Sequence, residues 1–177
     1  MVHGIPNAER ILKEGDVVSL DCGATYRGYV GDSAITVGVG TISDELKKLL
    51  EVTNQSLMAG IAQMVPGNFL EDISIAVEDV GLAHHYGVVK NYGGHGVGKK
   101  LHEEPFLPNY RTGNRGPELK TGVVLAIEPM FNLGKEDVKT LADQWTVVTE
   151  DGLPSAHFEH TVIITDDGPL IATERTH

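Results

Sequence analysis

One segment of this chain occurs twice. Residues 13–21, KEGDVVSLD, align without gaps on residues 120–128, KTGVVLAIE. Each copy is entered through a glycine, Gly15 or Gly122, runs on as a buried-strand pattern, and closes on a carboxylate, Asp21 or Glu128. Each is followed by a second strand pattern that opens on another acid, Asp32 before SAITV and Glu159 before HTVII. A His-Gly pair precedes both, as HGIP at 3–6 and HGVG at 95–98. Landmarks repeated in the same order constrain the chain to two related halves. Each half should hold a His-Gly strand, an acid-ended strand and an acid-started strand.

Helical patterning is confined to the stretch between the halves. Residues 43–64 carry Leu46, Leu49, Leu50, Leu57, Ile61 and Met64 on one stripe, with Ser43 as N-cap and Asp44 and Glu45 in the first turn. Pro66-Gly67 ends that helix, and Asn68 with Glu71 reads as a capping box for a second one through Leu70, Ile73, Val77 and Val80, finished before Gly87. The order is strands, two helices, strands, with no linker or low-complexity segment. The expectation is a single α+β domain over residues 1–177, with a first half-repeat at 1–40 and a second at 43–165.

Composition narrows the function. A net charge of -11 argues against nucleic acid or an anionic membrane surface as the main partner, since both are polyanions. No apolar run is long enough to span a bilayer. The only cysteine, Cys22, cannot form an internal disulfide, which fits a cytoplasmic location, and it reads as a small packed residue.

The excess of acid has a second meaning. Asp21 and Asp32 flank a turn at TYRG, so a hairpin closing there would set both carboxylates side by side. Like charges so placed need a shared proton or a cation. Glu128 and Glu159 repeat the arrangement, and His95 sits in a glycine-rich strand end. Four carboxylates and one neutral imidazole carry a charge that two divalent cations would balance; Mn, Fe(II), Co and Zn all suit such a donor set. A pair of metals can share a hydroxide that serves as nucleophile. Taken singly, each acid is more often a turn or strand-end residue than a ligand.

The phrases HGIP, SLDCG, GGHGVGKKLHEEP, AIEPM, QWTVVTEDG and SAHFEHTVIIT, in this order over nearly the whole chain, resemble the bacterial type of methionine aminopeptidase, a metallopeptidase with the pita-bread fold. The resemblance implies a pseudo-two-fold sheet with helices on one face. It implies Asp21 on one metal, His95 and Glu128 on the other, and Asp32 and Glu159 bridging. Glu128 would also move the nucleophile's proton, His102 would bond the substrate carbonyl, and His3 would touch the peptide nitrogen beyond the scissile bond. Trp145 and Leu101 would line the pocket, although Trp145 reads equally well as core. His84 and His85 read as surface, His157 and His160 as support or packing.

The resemblance further implies that the substrate is the N-terminus of a peptide or nascent protein. Family members carry helices ahead of HGIP, and the first half has no counterpart of the helix pair at 43–87. An apolar sheet face left bare should be covered, with a homodimer as the favoured arrangement. Methionine specificity should then be weakened. The competing expectations are a shortened relative that binds peptide or a protein partner without turnover, and a structural β-rich domain.

Overall fold

The computed structural model describes residues 1–175. Strands β1 (Val17–Tyr26) and β2 (Tyr29–Gly38) lead into helices α1 (Asp44–Ala62) and α2 (Leu70–Ala83). Then come β3 (Gly87–Val88), β4 (Gly93–Gly96), β5 (Glu103–Pro108), β6 (Val124–Ile127), β7 (Met130–Asn132), β8 (Val138–Thr140), β9 (Val147–Thr149), β10 (Ser155–His157), β11 (His160–Thr165) and β12 (Gly168–Ile171).

β1 and β2 form a hairpin through Arg27 and Gly28, whose φ values of 50° and 84° are both left-handed. Such a turn follows the right-handed twist of the strands it joins. The register sets Asp21 opposite Ala34 and Gly23 opposite Asp32, so the two aspartates share one face as diagonal neighbours. β1 runs past Asp21 to Tyr26, because the hairpin closes only at the Arg27-Gly28 turn. In the second half β6 does stop at Ile127, next to Glu128.

Ser43 caps α1 as expected, its Oγ accepting the Leu46 N–H at 3.2 Å. The cap of α2 differs. Phe69 holds the N-cap position and its N–H is accepted by Asp72 at 2.7 Å. Asn68 instead donates to the Gln63 carbonyl at the end of α1, 3.0 Å away. The Glu71 carboxylate accepts from the backbone of Thr112, Gly113 and Asn114, so the loop over α2 has claimed the expected capping group.

The helices cover mainly the second half, although Ile35 of β2 also packs against their core. Leu49, Val52, Leu57, Ile73 and Val77 form one core with Leu125, Ile127, Phe131, Val162 and Ile164 of β6, β7 and β11. β6 and β11 belong to a five-stranded sheet ordered β12-β11-β6-β4-β5; β10-β7-β3 form a second sheet. The first half joins this body along β2. The Ala34 carbonyl accepts the Glu159 N–H at 2.9 Å. Thr161 Oγ1 accepts the Asp32 N–H at 2.8 Å and donates to the Asp32 carbonyl at 2.9 Å. Thr36 Oγ1 does the same for His157, with both bonds at 2.8 Å. Threonine hydroxyls thus replace a direct ladder along an antiparallel seam, in which the second strands of the two halves face each other. This is the pseudo-two-fold expected of the pita-bread fold.

The His-Gly copies are not equivalent. The second is β4, paired on both sides. The first makes only one bridge, Val2 to Val147, away from β1, and His3 turns the chain at φ 57°. No described helix is long and apolar enough to cross a membrane.

Candidate metal centre

Glycine makes room for His95. A Cβ on Gly94 would run into the Ala126 carbonyl, and one on Gly96 into the Glu104 carbonyl, so only glycine lets the neighbouring strands close around the imidazole. Nδ1 of His95 lies 2.9 Å from the Gly96 carbonyl. A carbonyl only accepts, so Nδ1 carries the proton and the Nε2 lone pair is bare, as a ligand requires.

Around that nitrogen stand the acids. Asp32 Oδ2 is 3.8 Å from His95 Nε2 and Glu128 Oε1 is 3.5 Å from it. Donor atoms of Asp32, His95 and Glu159 all lie within 4.8 Å of one another, and all three residues are buried. Burial raises the Glu128 carboxyl to about 8, with the charges of Asp21 and Asp32 adding to the rise and His95 opposing it. Burial pushes Glu159 up to about 10, helped by Glu128, Asp32 and Asp21. Carboxylates so shifted are holding protons for want of a counter-charge. The donor chemistry, one bare imidazole nitrogen among crowded acids, therefore fits divalent cations. Asp21 reaches the same cleft from the more exposed strand β1.

The cleft measures about 870 Å³, with these groups in its lining. His102 stands beside His95, ring centroids 4.3 Å apart. His3 stacks on Trp145 at 4.5 Å and meets the edge of Tyr92 at 5.5 Å. Trp145 is thus a half-exposed wall of the cleft and not core. Sequence reasoning missed Tyr92 and Phe106, which also line it; an aromatic beside a glycine run was the only available signal.

Two expectations need correction. Leu101 is not among the lining residues; its Cδ1 lies over Gly23, where a Cβ would approach it to 2.9 Å. Cys22 is exposed, because it alternates with Asp21 onto the outer face of the hairpin. Of the two readings of His157, support or packing, the structure favours the first: it is fully buried, with Nε2 3.5 Å from Glu128 Oε2. His84 and His85 are exposed as expected, and His160 is buried with Nδ1 2.9 Å from Thr173 Oγ1.

Residues 1–166 match the model of metallopeptidase family M24. The chain belongs to that family. The M24 chain is 55% identical over 173 residues to methionine aminopeptidase 1 of Bacillus subtilis, covering 98% of this chain and 69% of the relative. It is 50% identical, with the same coverage of both chains, to a methionine aminopeptidase of Clostridium acetobutylicum. Among solved structures it superposes on the methionine aminopeptidase of Thermotoga maritima with a TM-score of 0.94 and 44% identity, covering 98% of this chain and 70% of that one. A prolidase from Pyrococcus furiosus is more distant, at a TM-score of 0.74 and 25% identity over 96% of this chain and 44% of that chain. As an M24 metallopeptidase, the chain is a metal-dependent hydrolase of the pita-bread fold.

Proposed function

We propose that this M24 chain removes methionine from the N-termini of peptides and nascent proteins, and that two divalent ions serve it, among Mn, Fe(II), Co or Zn. The observation that carries the reading is the meeting of Asp21, Asp32, His95, Glu128 and Glu159 in one cleft. Asp21 would serve one ion, His95 and Glu128 the other, and Asp32 and Glu159 both. Bound ions of this kind lower the pKa of water and polarise a carbonyl.

The remaining work falls to side chains. Glu128 would take a proton from the attacking water at an Oε atom and deliver it to the departing amine. His102 would donate to the scissile carbonyl oxygen as it gains charge. His3, held by its stack on Trp145, would bond the peptide nitrogen beyond the scissile bond. Trp145 offers an aromatic surface to a methionine thioether. Residues 1–177 would act as one catalytic unit of two half-repeats, 1–40 and 43–165, in the cytoplasm.

Leu20 and Val37, on the outer face of the hairpin, are 56% and 37% exposed, which supports a homodimer closed over that face. Sedimentation should then give a dimer that Leu20→Lys splits.

Calorimetry with Mn(II) or Co(II) should give two ions per chain, and a Met-Ala peptide should be cleaved by the parent protein and spared by Glu128→Gln. Metal uptake without cleavage by the parent would instead mark a peptide-binding relative without turnover. Failure to take up metal would sink the metal-centred reading.

A further inference from the structure

Glu128 lies between two imidazoles. Its Oε1 is 3.5 Å from His95 Nε2, and its Oε2 is 3.5 Å from His157 Nε2. His95 is part of the proposed ligand set, whereas His157 lies outside it, at the end of β10. The His157 ring is 2% exposed, and its Nε2 has no hydrogen-bond partner among the described residues. Leaving such an atom unpaired costs about 1–3 kcal/mol, so buried polar atoms nearly always have a partner in some working state. The acceptor facing this one is Glu128 Oε2, one small side-chain shift beyond hydrogen-bonding distance.

The backbone of His157 cannot drift. Its N–H and carbonyl are both held by Thr36 Oγ1 at 2.8 Å, and that hydroxyl is itself 2.8 Å from Ser19 Oγ. Ser19 and Thr36 share the hairpin face that carries Asp21 and Asp32. The hairpin therefore fixes the ring that faces Glu128. A neutral imidazole has one N–H to give and adds no positive charge where cations are to bind, which a lysine or arginine could not match.

We infer that His157 is a positioning residue for Glu128: its Nε2–H donates to Oε2, fixes the carboxylate plane, and leaves Oε1 directed to the His95 side. Partners of ligating carboxylates tune a metal site in this way. The inference rests on Glu128 being the ligand and proton carrier proposed above.

The test compares the parent with His157→Leu, which keeps bulk but lacks a donor, and His157→Gln, which restores one. His157→Leu should lower Co(II) affinity by calorimetry, or kcat, by about 10–100-fold, with KM for a Met-Ala peptide within about twofold. His157→Gln should recover most of the loss. In a Glu128→Gln background, His157→Leu should add little. A folded His157→Leu protein with parental Co(II) affinity and kcat overturns the inference and leaves the dinuclear reading standing; a parent that takes up no Co(II) overturns both. Should His157→Leu lose its circular dichroism signature, 15N NMR of the unmutated protein decides. An Nε2–H tautomer for His157 supports the assignment, and an Nδ1–H tautomer overturns it.

Discussion

The two halves start from nearly the same text and reach different physical states. Val18, Leu20, Ile35 and Val37 of the hairpin correspond in the repeat to Leu125, Ile127, Val162 and Ile164. The second set is fully buried under α1 and α2, while Leu20 and Val37 remain exposed. The acids follow suit. Glu128 is mostly buried and its carboxyl is pushed up to about 8, whereas its counterpart Asp21 faces the open cleft. A shared motif places a carboxylate; what packs around it sets how tightly the proton is held. The site therefore draws one exposed acid, Asp21, and one buried acid, Asp32, from the first half, and two proton-holding acids from the second.

The sharpest test of this asymmetry is chemical. Glu128→Gln should lower kcat by about 10²–10⁴, the usual worth of a positioned acid-base group. A loss of less than tenfold would remove Glu128 from the proton path.

Stability offers the next contrast. Ile127→Ala should cost about 2–5 kcal/mol in urea unfolding, as for other buried aliphatics. Its counterpart Leu20→Ala should stay within about 0.5 kcal/mol for the isolated chain. Equal costs would break the comparison outright. The seam between the halves should lie in between. Thr36→Val keeps the shape but strands the buried N–H and carbonyl of His157, at about 1–3 kcal/mol.

The smallest effect per step is the pH dependence of the metal-free protein, about 1.4 kcal/mol per pH unit for each proton. Glu128 and Glu159 hold their protons more tightly folded than unfolded. Stability should therefore fall as pH rises from the ordinary value of 4.5, through about 8 for the first and about 10 for the second. His157, lowered by burial from 6.5 to about 4, works the other way, and its contribution grows as pH rises through that window. The two trends oppose each other below pH 6.5, so melting temperature should decline most clearly above it. Saturating Mn(II) should flatten the decline, because the cation replaces the protons. A metal-free melting temperature that rises between pH 7 and 9 would contradict the burial of the two glutamates.

Local chemistry carried much of this. Ser43, followed by two acids and an apolar stripe, suffices to start α1, because a cap is a contact between near neighbours. Tyr-Arg-Gly-Tyr suffices for the hairpin turn. The cap of α2 failed to read correctly because the Glu71 carboxylate is taken by amides some forty residues downstream. His157 was read as support or packing because nothing in SAHFEHT tells which way a ring faces across β10. Leu101 and Cys22 went astray for the same reason, since exposure is a property of what covers a residue.

What the amino-acid order determined by itself is the pair of related halves, the kinds of donor, and their spacing along each strand. Those are short-range matters of periodicity, turn chemistry and charge. Only the tertiary structure decided that the donors of both halves face one cleft, that α1 and α2 shelter one half, and that a threonine seam joins them. Burial and antiparallel alignment are set by distant segments meeting, and it is burial that turns matching acids into an exposed Asp21 and a proton-holding Glu128.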